Sequence, residues 1–566
     1  MEKILRINMS ELTIKEEKVA DKYKYLGGRG LTSSILLDEV NAGCYPLGEE
    51  NKLIVAPGLL AGTTLSSSNR LSVGAKSPLT GGIKESNSGG TVAYKLARLG
   101  IKAVIFEGKS VQDIPLTIKI DKNGITFEKD PEIKGCNCYY STEKLFEKYG
   151  SKVGIMVIGT AGERNLLTAC INCTDTNGEP CRVLGRGGMG AVMGSKGIKA
   201  IIVDDKEIQN DMQKKPEIKE LIKEFAKKLK GNVVTGEFFP KYGTARTLMI
   251  LNSLGGLPTK NFSLGKYEKA ENISGEKMAE IISSRGGKTT HNCMPGCVIR
   301  CSNTFVDKNG EKVVSSLEYE TLCLMGSNLC IDNLDDIAIL NKLCNDYGVD
   351  TMDVGVALGV LAEAETGIME FGDACKAIEL VKEIGKGTPI GRIIASGAGM
   401  CGKIYGVERV PVVKNQAMAA YDPRVIKGNG VTYATSPMGA DHTYANTITL
   451  QTNHLDPKGK VEASKNLQIF TAVLDSLGFC IFTGRILSSE PGFLEKIVNT
   501  YTGWNVTFEE LKEMGKSVVL KERKFNKKAG FTKIHDRVPD YFTREPLKPT
   551  NEIFDIKDEE LDLMFN

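Results

Sequence analysis

The sequence is short of the features that mark membrane, secreted and repeat proteins. No segment of its 566 residues approaches eighteen consecutive apolar residues, and the opening MEKILRINMSELTIKEEK lacks the uninterrupted apolar core of a secretory signal. No membrane span is expected, and the expected compartment is the cytoplasm. Excess charge of one sign is missing too: 73 Lys and Arg against 70 Asp and Glu leave a net +3, which gives no global field for nucleic acid or a membrane surface. No solenoid period or low-complexity tract is found. Fifteen cysteines, an odd number at irregular spacing, do not read as a disulfide framework, and in a reducing compartment they stay thiols.

What remains is a chain large enough for two to four domains, with 61 glycines, more than the usual share. Its character changes near residue 210. Before that point β-branched runs recur between glycine-rich turns: KLIVAPG (52–58), KAVIFEG (102–108), a hairpin in TIKIDKNGITFEKD (117–130), and KAIIVDD (199–205). After it, helical spacing dominates. PEIKELIKEFAKKLKG (216–231), NLDDIAILNKLCNDYGVD (333–350), DACKAIELVKEIGKG (373–387) and EASKNLQIFTAVLDSLGFC (462–480) each predict a helix. Glycine and proline around 385–430 suggest a second boundary. The expected architecture is α+β: a β-rich domain over 1–208, then mainly helical domains over 209–410 and 411–566.

The stretch HNCMPGCVIRCSN sets Cys293, Cys297 and Cys301 four apart, twice over. Pro295 and Gly296 oppose a continuous helix and favour a loop on which thiolates converge. An iron-sulfur cluster completed by a distant fourth cysteine, a zinc site, or plain buried thiols all fit the loop alone. Cys323, Cys330, Cys344 and Cys375 lie in apolar helical patterns and are expected to be small core residues. His291, two residues upstream of Cys293, is placed to hydrogen-bond a sulfur.

KSPLTGGIKESNSGG (76–90) and RVLGRGGMGAVMGSKGIKAI (182–201), read with YLGGRGL (25–31), SLEYETL (316–322) and DSLGFC (475–480), resemble the tungsten-containing aldehyde ferredoxin oxidoreductase family in order and along nearly the whole chain. CMPGCVIRCSN and VVSSLEYET look like a bacterial branch in which membership does not settle the substrate. The resemblance implies tungsten, or molybdenum, held by two pyranopterin dithiolenes. Arg70 and Arg182 would meet the pterin phosphates, with Ser88, Gly89, Gly185, Arg186, Gly187 and Gly188 supplying close backbone approach. Backbone carbonyls of Asn87 and Val183 would hold a Mg2+ ion between the phosphates. A twice-occurring D-x-x-G-L-(C/D) turn would bind the pterin edges: Asp475, Gly478 and Phe479 in the second copy, and Asn345, with Asp346 adjacent, then Val349 and Asp350 in the first. The fourth ligand of a [4Fe-4S] cluster would be Cys480, beside Cys293, Cys297 and Cys301.

Catalytic roles would fall to Glu320 and His442, with Tyr319 alongside. Three departures from the family pattern stand out: C-x3-C-x3-C where C-x2-C-x3-C is usual, Asn345 at a motif's leading position, and Tyr444 where some members carry lysine. The implied reaction is aldehyde plus water to carboxylate, with electrons leaving singly to ferredoxin or a small ferredoxin-like subunit. Its reverse on a carboxylic acid, or low-potential reduction of an aromatic acyl-CoA, could use the same centre. Members often form homodimers. A reading from another class is a zinc-stapled binding protein without catalysis.

Overall fold

A computed structural model describes residues 2–565. The first two hundred residues build two six-stranded sheets. One holds β1 (Lys3–Asn8), β2 (Thr13–Lys18), β3 (Leu53–Pro57), β4 (Leu71–Lys76), β5 (Ile83–Ser88) and β6 (Ile101–Glu107) in the order β2-β1-β6-β3-β4-β5. The other holds β7 (Leu116–Asp121), β8 (Gly124–Lys129), β9 (Gly154–Val157), β10 (Ile171–Cys173), β11 (Arg182–Leu184) and β12 (Ile198–Val203) in the order β11-β10-β9-β12-β7-β8.

Strand alternation sets the layers. Leu5, Ile7, Leu53 and Val55 join Ile118, Met156, Ile201 and Val203 in a core shared by both sheets. Their neighbours Ile4, Ile54 and Ile105 face the opposite way, onto the helix Gly28–Glu39. Because successive side chains point to opposite faces, each strand seals two layers at once. The predicted hairpin forms, with Ile120 opposite Ile125 and Asp121 opposite Gly124.

Beyond residue 210 the predicted helices are present as Pro216–Gly231, Leu334–Tyr347, Ala374–Lys386 and Lys460–Leu477. The last three stop at glycines 348, 387 and 478 in the left-handed region, where no Cβ opposes the turn. A small sheet, β13 (Lys288–His291), β14 (Ser302–Val306) and β15 (Lys312–Val314), brackets the three-cysteine loop between its first two strands. Among the described residues, no single helix is long and apolar enough to cross a bilayer.

Three readings need correction. SNSGG (86–90), read as a glycine-rich turn, begins inside β5, whose IKESNS hides its burial because its polar side chains point into the interior. The N-terminal half also carries the helices Gly28–Glu39 and Cys138–Tyr149. Cys323 and Cys344 are buried as expected, but Cys330 is only half-buried at a left-handed turn and Cys375 is exposed at the start of its helix.

Candidate functional site

The thiol loop rests on the segment 63–70. Asn69 Nδ2 donates to the Pro295 carbonyl at 3.1 Å, and the Val298 amide donates to Ser66 Oγ at 3.1 Å. A Cβ on Gly296 would stand 2.4 Å from the Thr64 carbonyl oxygen, so the loop can close only through glycine there. The same saddle carries Cys480: its amide donates to the Ser67 carbonyl at 2.7 Å, while Ser67 Oγ lies 3.6 Å from Cys297 Sγ. One serine thus ties together two pieces of chain 183 positions apart. Gly89 closes the other side, where a Cβ would come 3.1 Å from Cys293 Sγ. A hydrogen bond from the Cys293 thiol, together with the Arg300 amide and Ser67, holds the Cys297 thiol down at about 6, whereas burial pushes Cys301 up.

Among the described residues no three His, Cys, Asp or Glu side chains close to the spacing of a single ion. Thiolates around one tetrahedral zinc lie about 3.8 Å apart.

Beside the thiols lies a cavity of about 200 Å³ whose walls come from β5, the 183–186 segment and the turns at 350, 438–444 and 475. Of the residues expected there, Asn87, Val183, Gly185, Arg186, Asp350, His442 and Asp475 line it. Arg186 forms one wall by bonding Asp350 Oδ2 at 3.2 Å, Asp353 Oδ2 at 3.3 Å and the carbonyls of Ala440 and Ala417 at 2.7 and 2.5 Å. Arg29 forms the other, paired with both oxygens of Glu522 at 2.9 Å and with Asp475 Oδ2 at 3.2 Å, its guanidinium 4.0 Å from the centre of the Tyr444 ring. Between them Lys84 Nζ bonds Asp441 Oδ2 at 2.5 Å.

Burial sets the electrostatics. It pushes Asp475 up to about 7, helped by the neighbouring Glu85, and Asp350 up to about 7, helped by Asp353. Asp441 goes the other way: burial opposes its charge, but Lys84 and Arg186 outweigh it and hold the carboxyl below the usual range.

Glu320 and His442 meet, with His442 Nε2 3.2 Å from Glu320 Oε1, in ion-pair range but not aligned as a hydrogen bond. The other oxygen, Oε2, accepts from the Ala420 amide at 2.8 Å. The buried Tyr319 hydroxyl donates to the Ala420 carbonyl, so Tyr319 fixes the residue that fixes Glu320. Tyr421 packs between them, its ring 5.4 Å from Tyr319 and 5.7 Å from His442.

Other expected residues take different places. Asp346 caps the helix Cys138–Tyr149, accepting from the Tyr139 amide at 3.0 Å, and the Asn345 carbonyl accepts from Asn172 at 2.8 Å; neither lines the cavity. Val349 is core, and Phe479 packs edge-on against Phe225 at 5.8 Å. Gly478, at φ +90, makes room for Gly58, whose Cβ would stand 2.1 Å from the Gly478 Cα. Gly187 and Gly188 are glycines because Lys84 and Leu167 press against them, and Ser88 donates to the Gly89 carbonyl. Arg70 bonds the Asn87 side chain and, at 2.9 Å, its carbonyl. Arg182 donates to Ser302 Oγ at 2.7 Å, leaving its Nε buried without a partner. His291 does not serve a sulfur: Nε2 meets Asp175 Oδ2 at 2.7 Å and Nδ1 meets Asn177 at 3.4 Å.

Sequence reasoning missed Arg29, Lys84, Glu85, Asp441 and Glu522. Arg29 stood inside a quoted motif, and its burial with Glu522 had no local signal.

The walls are polar. A side chain at Gly185 would meet nothing closer than 3.8 Å, the Arg182 Nε is buried without a partner, and the buried carboxyls of Asp350 and Asp475, held by Arg186 and Arg29, face the cavity. The comparisons agree with this chemistry. Residues 4–205 match the N-terminal domain of aldehyde ferredoxin oxidoreductase, and 220–566 match its domains 2 and 3. The chain is 34% identical to the tungsten-containing aldehyde ferredoxin oxidoreductase of Pyrococcus horikoshii, covering 96% of this chain and 92% of the relative. It is 26% identical to the WOR-like subunit of an aliphatic sulfonate oxidoreductase from Pyrococcus furiosus, over 92% and 85% of the two chains. Its fold matches the active-site complex BamBC of benzoyl coenzyme A reductase with a TM-score of 0.76 at 18% identity, over 95% and 90% of the chains. The non-enzymatic zinc reading is therefore overturned: the chain belongs to the tungsten-containing aldehyde ferredoxin oxidoreductase family and is an oxidoreductase.

Proposed function

We propose that this protein oxidises an aldehyde to a carboxylate on a tungsten bis-pyranopterin centre and passes the electrons through a [4Fe-4S] cluster to a ferredoxin-class acceptor. The observation that carries the reading is His442 on the wall of the cavity with Glu320 3.2 Å from it, while another wall residue, Asp475, stands five positions before Cys480. When bound, the tungsten centre supplies two-electron redox chemistry and the cluster a one-electron exit.

The chain's own residues do the rest. Cys293, Cys297, Cys301 and Cys480 hold the cluster, Arg70 and Arg182 neutralise the pterin phosphates, and Asp350 and Asp475 accept pterin N–H bonds. Asn87 and Val183 offer carbonyls to Mg2+; the Asn87 oxygen, already bonded to Arg70, keeps a second lone pair for it. Because the Ala420 amide occupies Glu320 Oε2, Oε1 is the oxygen left to take a proton from water attacking the aldehyde carbon. His442, 3.2 Å away, receives that proton and moves it outward. The surrounding tyrosines keep bulk water out.

The test is anaerobic purification from tungstate-fed cells with tungsten, iron and pterin analysis. It is joined by a dye-linked screen of aldehydes against carboxylic acids and acyl-CoA esters. Tungsten with four iron per chain and aldehyde-dependent dye reduction are expected. Cys480→Ser should lower iron and erase the native cluster spectrum while leaving soluble protein. Metal-free, inactive wild-type protein, or an intact spectrum in that variant, overturns the reading.

A further inference from the structure

Away from the cavity, one charged face is unanswered. The helix Pro216–Gly231 buries Ile218, Leu221, Phe225 and Leu229. At 100° per residue Lys219, Lys223, Lys227 and Lys230 fall within an arc of about 80° on its outer side, and Glu217, Glu220 and Glu224 gather on the next flank. All four lysines are exposed, and among the described residues none meets a carboxylate, whereas Lys228 pairs with Glu490 at 2.6 Å and Glu224 with Lys496 at 2.8 Å. Since the whole chain carries only +3, this arc is a local concentration and not a share of general basicity.

The opposite, buried face of the same helix leads to the thiols. Inside the helix, Phe225 touches Phe479, the residue before Cys480. From its C-terminal end the chain packs Gly236 on the Lys230 carbonyl, stacks Phe239 on Phe482 at 4.5 Å, and brings Gly243 against the Cys301 carbonyl. Phe239, Phe482 and Val298 are half-buried beside Cys297, and the exposed Arg300, also without a carboxylate, donates its amide to the Cys297 sulfur. Half-buried aromatics and Arg300 next to Cys297, with a lysine face on the outer side of the neighbouring helix, combine a short-range apolar contact with longer-range charge steering.

We propose that this face docks an acidic protein electron carrier of the ferredoxin class, the lysine arc guiding it so that its cluster approaches Cys297 over Val298, Phe239 and Phe482. The inference rests on the ferredoxin-linked reading above and adds the surface. Electrostatic steering on this scale raises association rates by ~10-fold or more and fades with salt.

The test uses the holoenzyme and an acidic [4Fe-4S] ferredoxin. Carbodiimide cross-linking should join ferredoxin carboxylates to peptides containing Lys219 to Lys230; cross-links confined to other surfaces overturn the proposal, whether or not aldehydes are the substrate. A Lys219→Gln, Lys223→Gln, Lys227→Gln, Lys230→Gln variant should raise the KM for ferredoxin by ~10-fold and flatten its salt dependence, leaving dye-linked turnover unchanged. An unchanged ferredoxin KM overturns the assignment. So does binding of wild-type protein, but not the variant, to vesicles of anionic phospholipid with no effect on ferredoxin, which would make the arc a membrane contact. Failure of dye-linked aldehyde turnover in the wild type strikes the function, not the surface.

Discussion

Single residues divide into those with a local signature and those without. The cysteine loop announced itself by three closely spaced thiols, whereas Glu320 and His442 were singled out only by resemblance to the family, and the structure sets those two side chains 3.2 Å apart. Arg29, Lys84 and Glu522 carried neither signal: each is a charge made tolerable in the interior by a partner hundreds of positions away, and sequence spacing says nothing of that. For the Glu320 and His442 pair, Glu320→Gln should lower kcat by ~10²–10⁴-fold and His442→Asn by less, with the cluster spectrum untouched; both follow from dye-linked kinetics.

Asp475 makes a pH prediction. Its carboxyl rises from 3.8 to about 7 on folding, so between those values the native cofactor-free protein holds a proton that the unfolded chain has released. That contribution to stability is complete below pH 4 and is lost as pH rises through 7. Asp475→Asn cannot ionise, so thermal unfolding of the cofactor-free proteins should show the variant gaining on wild type from pH 5 to pH 8. A difference that stays constant with pH contradicts the assignment.

At the scale of elements, helices with clean apolar periodicity and glycine stops were readable in advance. β5 was not, because IKESNS is a polar strand turned inward toward the cavity, and the helix Gly28–Glu39 was not, because GRGLTSS looks like a loop until it is buried on both sides. The expected pterin turn at 345–350 was half legible: Asp350 reaches the cavity, but Asp346 serves a helix cap. How tightly elements meet can be tested at Gly58. Its missing Cβ lets the chain pass the Gly478 turn with backbone on both sides, so no flexible side chain can yield. Gly58→Ala should cost about 3 kcal/mol by denaturant unfolding and lower the iron content, because Cys480 is displaced with the turn. Gly492→Ala, in an open first turn with nothing within 4 Å, should be neutral or stabilising by up to ~1 kcal/mol.

For the molecule as a whole, the site belongs to no one segment. Arg29 comes from the first forty residues, Asp475 from the helix Lys460–Leu477, and Glu522 from the 21-residue helix Phe508–Lys528. Removing one side of such a buried pair costs about 3–5 kcal/mol, since the stranded charge keeps its desolvation penalty. Glu522→Ala should therefore lower the melting temperature far more than an exposed Glu→Ala such as Glu509→Ala, and Glu522→Gln should recover part of the loss; calorimetry of the three variants decides it.

Ser67 joins Cys297 to the Cys480 backbone, and Cys480 lies five positions from Asp475 on one tight turn. On the proposed assignment, air that dismantled an iron cube held by these thiols would slacken that turn at its root. Loss of the proposed cluster and shedding of the proposed pterin should then arrive together, with no long-lived species that has lost one and kept the other.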